Sequence, residues 1–287
     1  MINFDNADIL LPRSDFVFKL IFGDSRNTDI LASFLQAVID LPAREYEEIT
    51  VIDPHLKREY GDDKLGILDV RIMTKSGNEI NVEIQVEPLP YLKERIVFYS
   101  SKMITQQINK SRAYNTIKRV ICIVITGYTL LHENFQLYDK NTDTRFSDLL
   151  EINTLELSKI PKTEDNSELY NWIRFLKAKK KEELDMVADT NPNIQKAVGI
   201  VLELSADEAQ RLIYEEHEKV RMDNLVRYYG GFEDGEAKGK AEGKAEERAN
   251  TARITKLFLK QYTPERISKE LNLPMEYVTG FLNMVQD

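Results

Sequence analysis

Two stretches of the chain alternate apolar and polar residues with a period of two. In Ile80-Asn81-Val82-Glu83-Ile84-Gln85-Val86, the residues Ile80, Val82, Ile84 and Val86 take one face and Asn81, Glu83 and Gln85 the other, the pattern of a strand with one buried side. Upstream, Ile67-Leu68-Asp69-Val70-Arg71-Ile72-Met73 puts Leu68, Val70 and Ile72 on an apolar face and Asp69, Arg71 and Met73 on the opposite one. The connection contains Lys75-Ser76-Gly77, and a three-residue hairpin loop commonly needs its last residue in the left-handed region, where glycine is unstrained. Such a loop pairs Thr74 with Asn78, Ile72 with Ile80 and Val70 with Val82. A two-residue loop would set apolar side chains against polar ones, because a one-residue slip turns every side chain to the other face. In the favoured register Asp69 lies directly opposite Glu83. Two carboxylates about 5 Å apart repel by about 3 kcal/mol at an effective dielectric near 20, so the pairing calls for a positive charge between them, and a divalent cation would supply it.

The remaining pattern is helical and strand-like in turn. Ser14 is expected to cap a helix that starts with Asp15 and carries Phe16, Phe18, Leu20 and Ile21, with Lys19 one turn from Asp15 and able to pair with it. A second amphipathic stretch runs from Asp29 to Ile39 and stops before Leu41-Pro42. From Leu92 to Asn109, Arg95, Tyr99, Lys102 and Gln106 recur on one side of a helix and Ile96, Met103 and Ile104 serve the other; the polar stripe is placed to face a site. Arg119 to Gly127 is a nearly continuous apolar run, typical of a strand covered on both faces. Phe135 to Tyr138 and Glu151 to Leu157 add strands, and Glu168 to about Arg227 reads as helical. The order is that of an α/β fold, a mixed sheet flanked by helices.

The carboxyl-terminal part changes character. Gly235 to Glu246 repeats every four residues. No strand precedes its Gly-Lys pairs and the phosphate-loop pattern is absent, which argues against nucleotide binding. The repeat reads as a charged connecting helix, weakened at each glycine by about 1 kcal/mol, whose glycine spacing would let two helices approach and the chain self-associate. Thr263-Pro264-Glu265 is a cap with proline at the first helical position. Ile267 and Leu271 fit one short helix, and Tyr277, Val278 and Phe281 a second beyond Leu273-Pro274. The pair is helix-turn-helix-like, although such pairs are often packing units, and Glu265, Glu270 and Glu276 count against a DNA-reading role. The expected division is 1–184 for the main α/β domain, 185–234 for a helical extension, 235–250 for the repeat helix and 251–287 for the helix pair.

Composition narrows the chemistry. The 287 residues carry a formal charge of −9, which counts against a broad basic surface for phosphate contacts. Local patches would have to compensate, around Lys110, Arg112, Lys118 and Arg119 or along Lys177 to Lys181, the latter more readily a solvated helix face balanced by Glu182 and Glu183. No apolar run approaches the roughly 20 residues of a membrane span and no signal pattern opens the chain, so a cytoplasmic protein is expected. The single cysteine, Cys122, sits inside the apolar run and reads as packing rather than a reactive thiol. His55, His132 and His217 are far apart, without the spacing of zinc ligands. Oxygen ligands from paired carboxylates suit magnesium instead.

Asp69 on one strand and Glu83-Ile84-Gln85 on the next resemble the Glu-x-Gln variant of the PD-(D/E)XK nuclease metal-binding signature. More of the chain is similar to one branch of that superfamily, the Rpn family of recombination-promoting nucleases and transposases. Asp15 to Gly23 resembles its amino-terminal motif and Lys64 to Val70 its first catalytic strand. Glu94-Arg95 and Tyr99-Ser100-Ser101-Lys102 follow, and Leu169 to Lys177 resembles a later tryptophan helix. Gln85 stands where most of the superfamily has lysine, and Ser111 where a glycine would precede Ala113-Tyr114. The resemblance implies a restriction-endonuclease-like core and a DNA endonuclease that hydrolyses phosphodiester bonds in recombination or a mobile element. It also implies that Asp69, Glu83 and the backbone carbonyl of Ile84 hold Mg2+, with Mn2+ as an alternative, while Gln85 orients the attacking water. Asp15, Lys19, Arg95 and Tyr99 are supporting candidates. DNA is the implied partner. The alternative reading is a catalytically weak DNA-binding or self-assembling protein that keeps the nuclease scaffold.

Overall fold

The computed structural model describes residues 9–56, 66–108, 113–129, 134–159 and 167–286. Lys64, Leu65, Lys110, Ser111, Arg112 and His132 lie outside them. The chain forms two compact units, Met1–His217 and Glu218–Asp287.

In the first unit, helix α1 (Asp15–Phe22) starts where the Ser14 hydroxyl accepts the Val17 N–H, as its cap pattern predicts, and α2 (Thr28–Val38) follows. Then come β1 (Thr50–Ile52), β2 (His55–Leu56), β3 (Gly66–Ile67), β4 (Val70–Met73), β5 (Glu79–Gln85), α3 (Leu92–Thr105), β6 (Val120–Thr126), β7 (Asn134–Tyr138) and β8 (Arg145–Glu156). Helices α4 (Glu168–Lys177), α5 (Lys181–Ala188) and α6 (Pro192–Ala206) complete the core, and α7 (Glu208–Phe258) begins beyond them. The six-stranded sheet has the order β1-β4-β5-β6-β8-β7. Its centre, β5, β6 and β8, is parallel and its flanking strands are antiparallel. A separate two-stranded sheet pairs β2 with β3.

The hairpin register is the expected one: Ile72 pairs with Ile80 and Val70 with Val82. The Thr74 N–H donates to the Asn78 carbonyl, and Gly77 takes a φ of +85°. Two expectations need correction. The first strand is not continuous. It breaks at Leu68-Asp69, so β3 joins the small sheet and the ladder with β5 ends at the Val70–Val82 pair. The cause is local: Asp69 Oδ2 accepts the Ile84 N–H at 2.9 Å, the donor that the Leu68 carbonyl would receive if the ladder ran on. Leu68 then packs with Leu56, Tyr99, Met103 and Val120, away from Val70 and Ile72. Nor does β5 have a single buried face. Its Ile80, Val82 and Ile84 enter the main core, but Asn81 and Glu83 are buried as well.

Helix α3 accounts for that second burial. Leu92 and Ile96 lie over Cys122 and Val124 of β6, on the polar side of the sheet. The opposite side carries the main core, where α1, α2, α4, α5 and α6 pack on Ile121, Ile123 and Ile125 as well as on β5. Phe22, Phe34 and Phe175 surround Trp172 there, with ring centroids 5.7 or 5.8 Å away. Two long-range ties fix the amino-terminal segment: Leu10 donates its N–H to Ser205 Oγ, and Lys196 pairs with Asp29.

In the second unit, Ile254, Leu257, Ile267, Val278 and Leu282 form a small apolar cluster. It joins the end of α7 to α8 (Pro264–Leu271) and α9 (Met275–Gln286). Thr263 caps α8 with Pro264 in its first turn. The Gly-Lys repeat is helical throughout as part of the 51-residue α7, and a Cβ added at Gly235, Gly239 or Gly243 would meet nothing within 4 Å.

Candidate metal centre

The end of the β4–β5 ladder, the first turn of α1 and the start of α3 converge on one group of charged side chains. The bend at Asp69 aims its carboxylate at two donors, the Ile84 N–H through Oδ2 and the Lys19 ammonium, 3.0 Å from Oδ1. Lys19 also reaches Asp15 at 2.7 Å, one helical turn back. Glu83 projects from β5 toward α3. Its Oε1 accepts the Asn81 amide at 3.1 Å, and its Oε2 lies 3.7 Å from the Arg95 guanidinium. Gln85, two residues on and on the same face, is held at both ends: Arg95 donates to its Oε1 at 3.3 Å and its Nε2 donates to the Glu87 carbonyl at 3.0 Å. Arg95 lies 6.0 Å from the centre of the Tyr99 ring.

The structure therefore brings Asp15, Lys19, Asp69, Glu83, Gln85, Arg95 and Tyr99 together. Asn81 is an addition, and its signal was available: it shares a strand face with Glu83 at two-residue spacing. Ile84 belongs to the group through its backbone. An extended residue turns its N–H and its C=O to the same edge of the strand, so the Ile84 carbonyl faces the gap left where β4 bends away.

The electrostatics are those of two acids for which burial outweighs the neighbouring cations. Burial pushes the Glu83 carboxyl up to about 8, and Asp69 adds to the shift while Asn81 and Arg95 oppose it. Burial also raises Asp69, reinforced by Asp15 and opposed by Lys19 and the Ile84 N–H. For Lys19, burial works against the ammonium, but attraction from Asp69 and Asp15 outweighs it and the net shift is upward; it stays a cation. Tyr99 is raised by burial, with the two carboxylates contributing. A divalent cation fits this donor set. A half-buried and a buried carboxylate that repel each other are groups whose charge a hard cation would neutralise.

Other candidates fall elsewhere. Cys122 is buried beneath α3, with its sulfur 3.0 Å from Ser100 Oγ, and burial pushes the thiol up to about 11; an unreactive thiol results. Arg119 is committed to Glu151. His55 pairs with Asp53 and His217 stacks on Phe16. Among the described residues, no group of three or more His, Cys, Asp or Glu side chains is arranged around a common ion. Any metal here rests on two carboxylates plus backbone and solvent oxygen.

A mixed sheet with its acidic pair at the end of a broken hairpin is the architecture of a PD-(D/E)XK nuclease core. The model of the PD-(D/E)XK nuclease family transposases matches residues 12–228, and the chain belongs to that family. No curated protein and no solved structure matches it. Among the described residues, no helix is long and apolar enough to cross a membrane.

Proposed function

We propose that this protein is a magnesium-dependent DNA endonuclease that hydrolyses phosphodiester bonds, in recombination or in the movement of a mobile element, and that works in the cytoplasm. The observation that carries the reading is the pair Asp69 and Glu83: a half-buried carboxylate at the break before β4 and a buried one on β5, each raised by burial and set against other negative charge.

In this reading Asp69, Glu83 and the Ile84 carbonyl hold Mg2+, or Mn2+ in its place. The bound ion would lower the pKa of water and offset charge on the phosphodiester. Gln85 presents its remaining amide N–H to the attacking water, its orientation set by Arg95 and the Glu87 carbonyl. Arg95 also keeps Glu83 in place, with Tyr99 beneath it. The acidic chain has few phosphate contacts of its own, so we assign added DNA affinity and self-association to the carboxyl-terminal helices, whose open glycine positions leave room for a second helix.

The test is cleavage of supercoiled DNA by the purified protein, with Mg2+ and with a chelator, beside an Asp69→Ala variant shown to be folded. Cleavage that needs both the metal and Asp69 supports the reading. Cleavage that survives in the variant, or no cleavage by the wild type, overturns it.

A further inference from the structure

We propose that Lys19 supplies the positive charge that Gln85 cannot, placing an ammonium on the phosphate under attack; this rests on the nuclease reading above. Gln85 is neutral, and both ends of its amide are engaged. Two cations flank the carboxylates. Arg95 reaches Gln85 at 3.3 Å and Glu83 at 3.7 Å from the α3 side. Lys19 reaches the other carboxylate from α1, with its Nζ 3.0 Å from Asp69 Oδ1 and 2.7 Å from Asp15 Oδ1. Its side chain is 38% exposed, so Lys19 borders solvent beside the Asp69 carboxylate.

The two cations differ in kind. A guanidinium is a rigid fork, whereas an ammonium is a compact charge with three donors on a flexible stem. Two of those donors satisfy Asp15 and Asp69, and the third can turn to a phosphoryl oxygen. Asp15 is the tether, holding Lys19 within reach across one helical turn. The reaction itself is hydrolysis: water adds to phosphorus, one P–O ester bond breaks, and the products are a phosphate monoester and an alcohol. Lys19 takes no proton in this scheme. It stabilises the negative charge that builds on the non-bridging oxygens.

Because the same ammonium sits on Asp69, it also competes with any ion bound there. That gives the inference a readout other than cleavage. Replacing Lys19 with methionine should slow cleavage by about 100-fold, the cost of losing one preorganised charge donor. It should at the same time tighten Mn2+ binding, measured by calorimetry, by about threefold to tenfold as a neighbouring like charge is removed. Lys19→Arg should keep part of the rate. The double variant Lys19→Met with Gln85→Lys should recover rate by placing an ammonium on the strand instead. Thermal unfolding shows whether each variant is folded.

Weaker Mn2+ binding together with lost cleavage in Lys19→Met would mean that Lys19 merely holds the site together, and would overturn the inference. So would a rate within threefold of wild type, which would leave the nuclease reading standing. A wild type that neither cleaves DNA nor binds Mn2+ would remove both.

Discussion

Two buried glutamates lie toward opposite ends of the β4–β5 hairpin, Glu45 packed against it from Ala43–Glu45 and Glu83 on β5, and they are opposites. Glu45, beside the turn, is 3% exposed, and Glu83, toward the open end, is 4% exposed. Glu45 accepts hydrogen bonds from the hydroxyls of Thr74 and Ser76, the Ser76 N–H and the Asn78 amide. These donors, Ser76 and Thr74 foremost, hold its carboxyl below the usual range. Glu83 has the Asn81 amide, the Asp69 backbone N–H and a guanidinium 3.7 Å away, and it sits against the Asp69 carboxylate. Burial alone therefore does not mark a functional acid. What separates the two is how far the fold offsets burial of the charged form: the donors at the turn outweigh burial at Glu45, and those at the open end do not at Glu83.

The largest effect that would break this contrast is in cleavage. Glu83→Gln and Asp69→Asn should each reduce metal-dependent cleavage by about 1000-fold or more, while the metal-free variants melt at or above the wild-type temperature, since each substitution removes repulsion. Variants that cleave normally, or that unfold, would place Glu83 with Glu45 as a structural acid.

The next effect is in stability against pH. Glu83 has a folded pKa of about 8 against an ordinary 4.5, so the folded state holds the proton more tightly. Its stabilising contribution is full below about pH 4.5 and is lost as pH rises through about 8. Metal-free protein should thus lose melting temperature between pH 5 and pH 8, Mg2+ should restore it at the upper end, and Glu83→Gln should flatten the profile. Glu45 has the opposite sign: its carboxyl is lowered, so its contribution is present above pH 4.5 and lost as pH falls below that.

A smaller effect is expected at the turn. Glu45→Gln should cost about 2 kcal/mol by weakening the charge-assisted bonds to Thr74 and Ser76, read by denaturant unfolding, with metal affinity unchanged. Smallest of all for the centre should be removal of the tail beyond Tyr229. The truncated chain should keep its basal cleavage and Mn2+ affinity, and should lose assembly and salt-sensitive DNA binding, as light scattering and titration would show. A folded truncation with no cleavage would mean that the tail completes the centre.

The turn end of this hairpin was legible in sequence and the open end only partly so. Alternation along β5 and the glycine at Gly77 fix the register through local rules. The break at Leu68 depends on Asp69 capturing the Ile84 N–H, a choice between side chain and backbone that alternation cannot express. The two-sided burial of β5 was hidden because the cover over Asn81 and Glu83 comes from α3. The approach of Lys19 to Asp69 joins elements that no period relates, so only its Asp15 partner, one turn away, could be read. The length of β8, from Arg145 to Glu156, was likewise obscured by its exposed, polar first half.

The bond from Leu10 to Ser205 crosses 195 positions of sequence, and this has a consequence for the newly made chain. Helix α1, which brings Asp15 and Lys19 to the carboxylates, is tied down by α6, the last helix of the core to leave the ribosome before α7. At about 5–20 residues per second, the interval between synthesis of Glu83 and of Ser205 is on the order of 10 seconds. During that time the acidic pair exists without its finished surroundings. The tie that anchors the segment before α1 thus forms only after nearly the whole core has been translated.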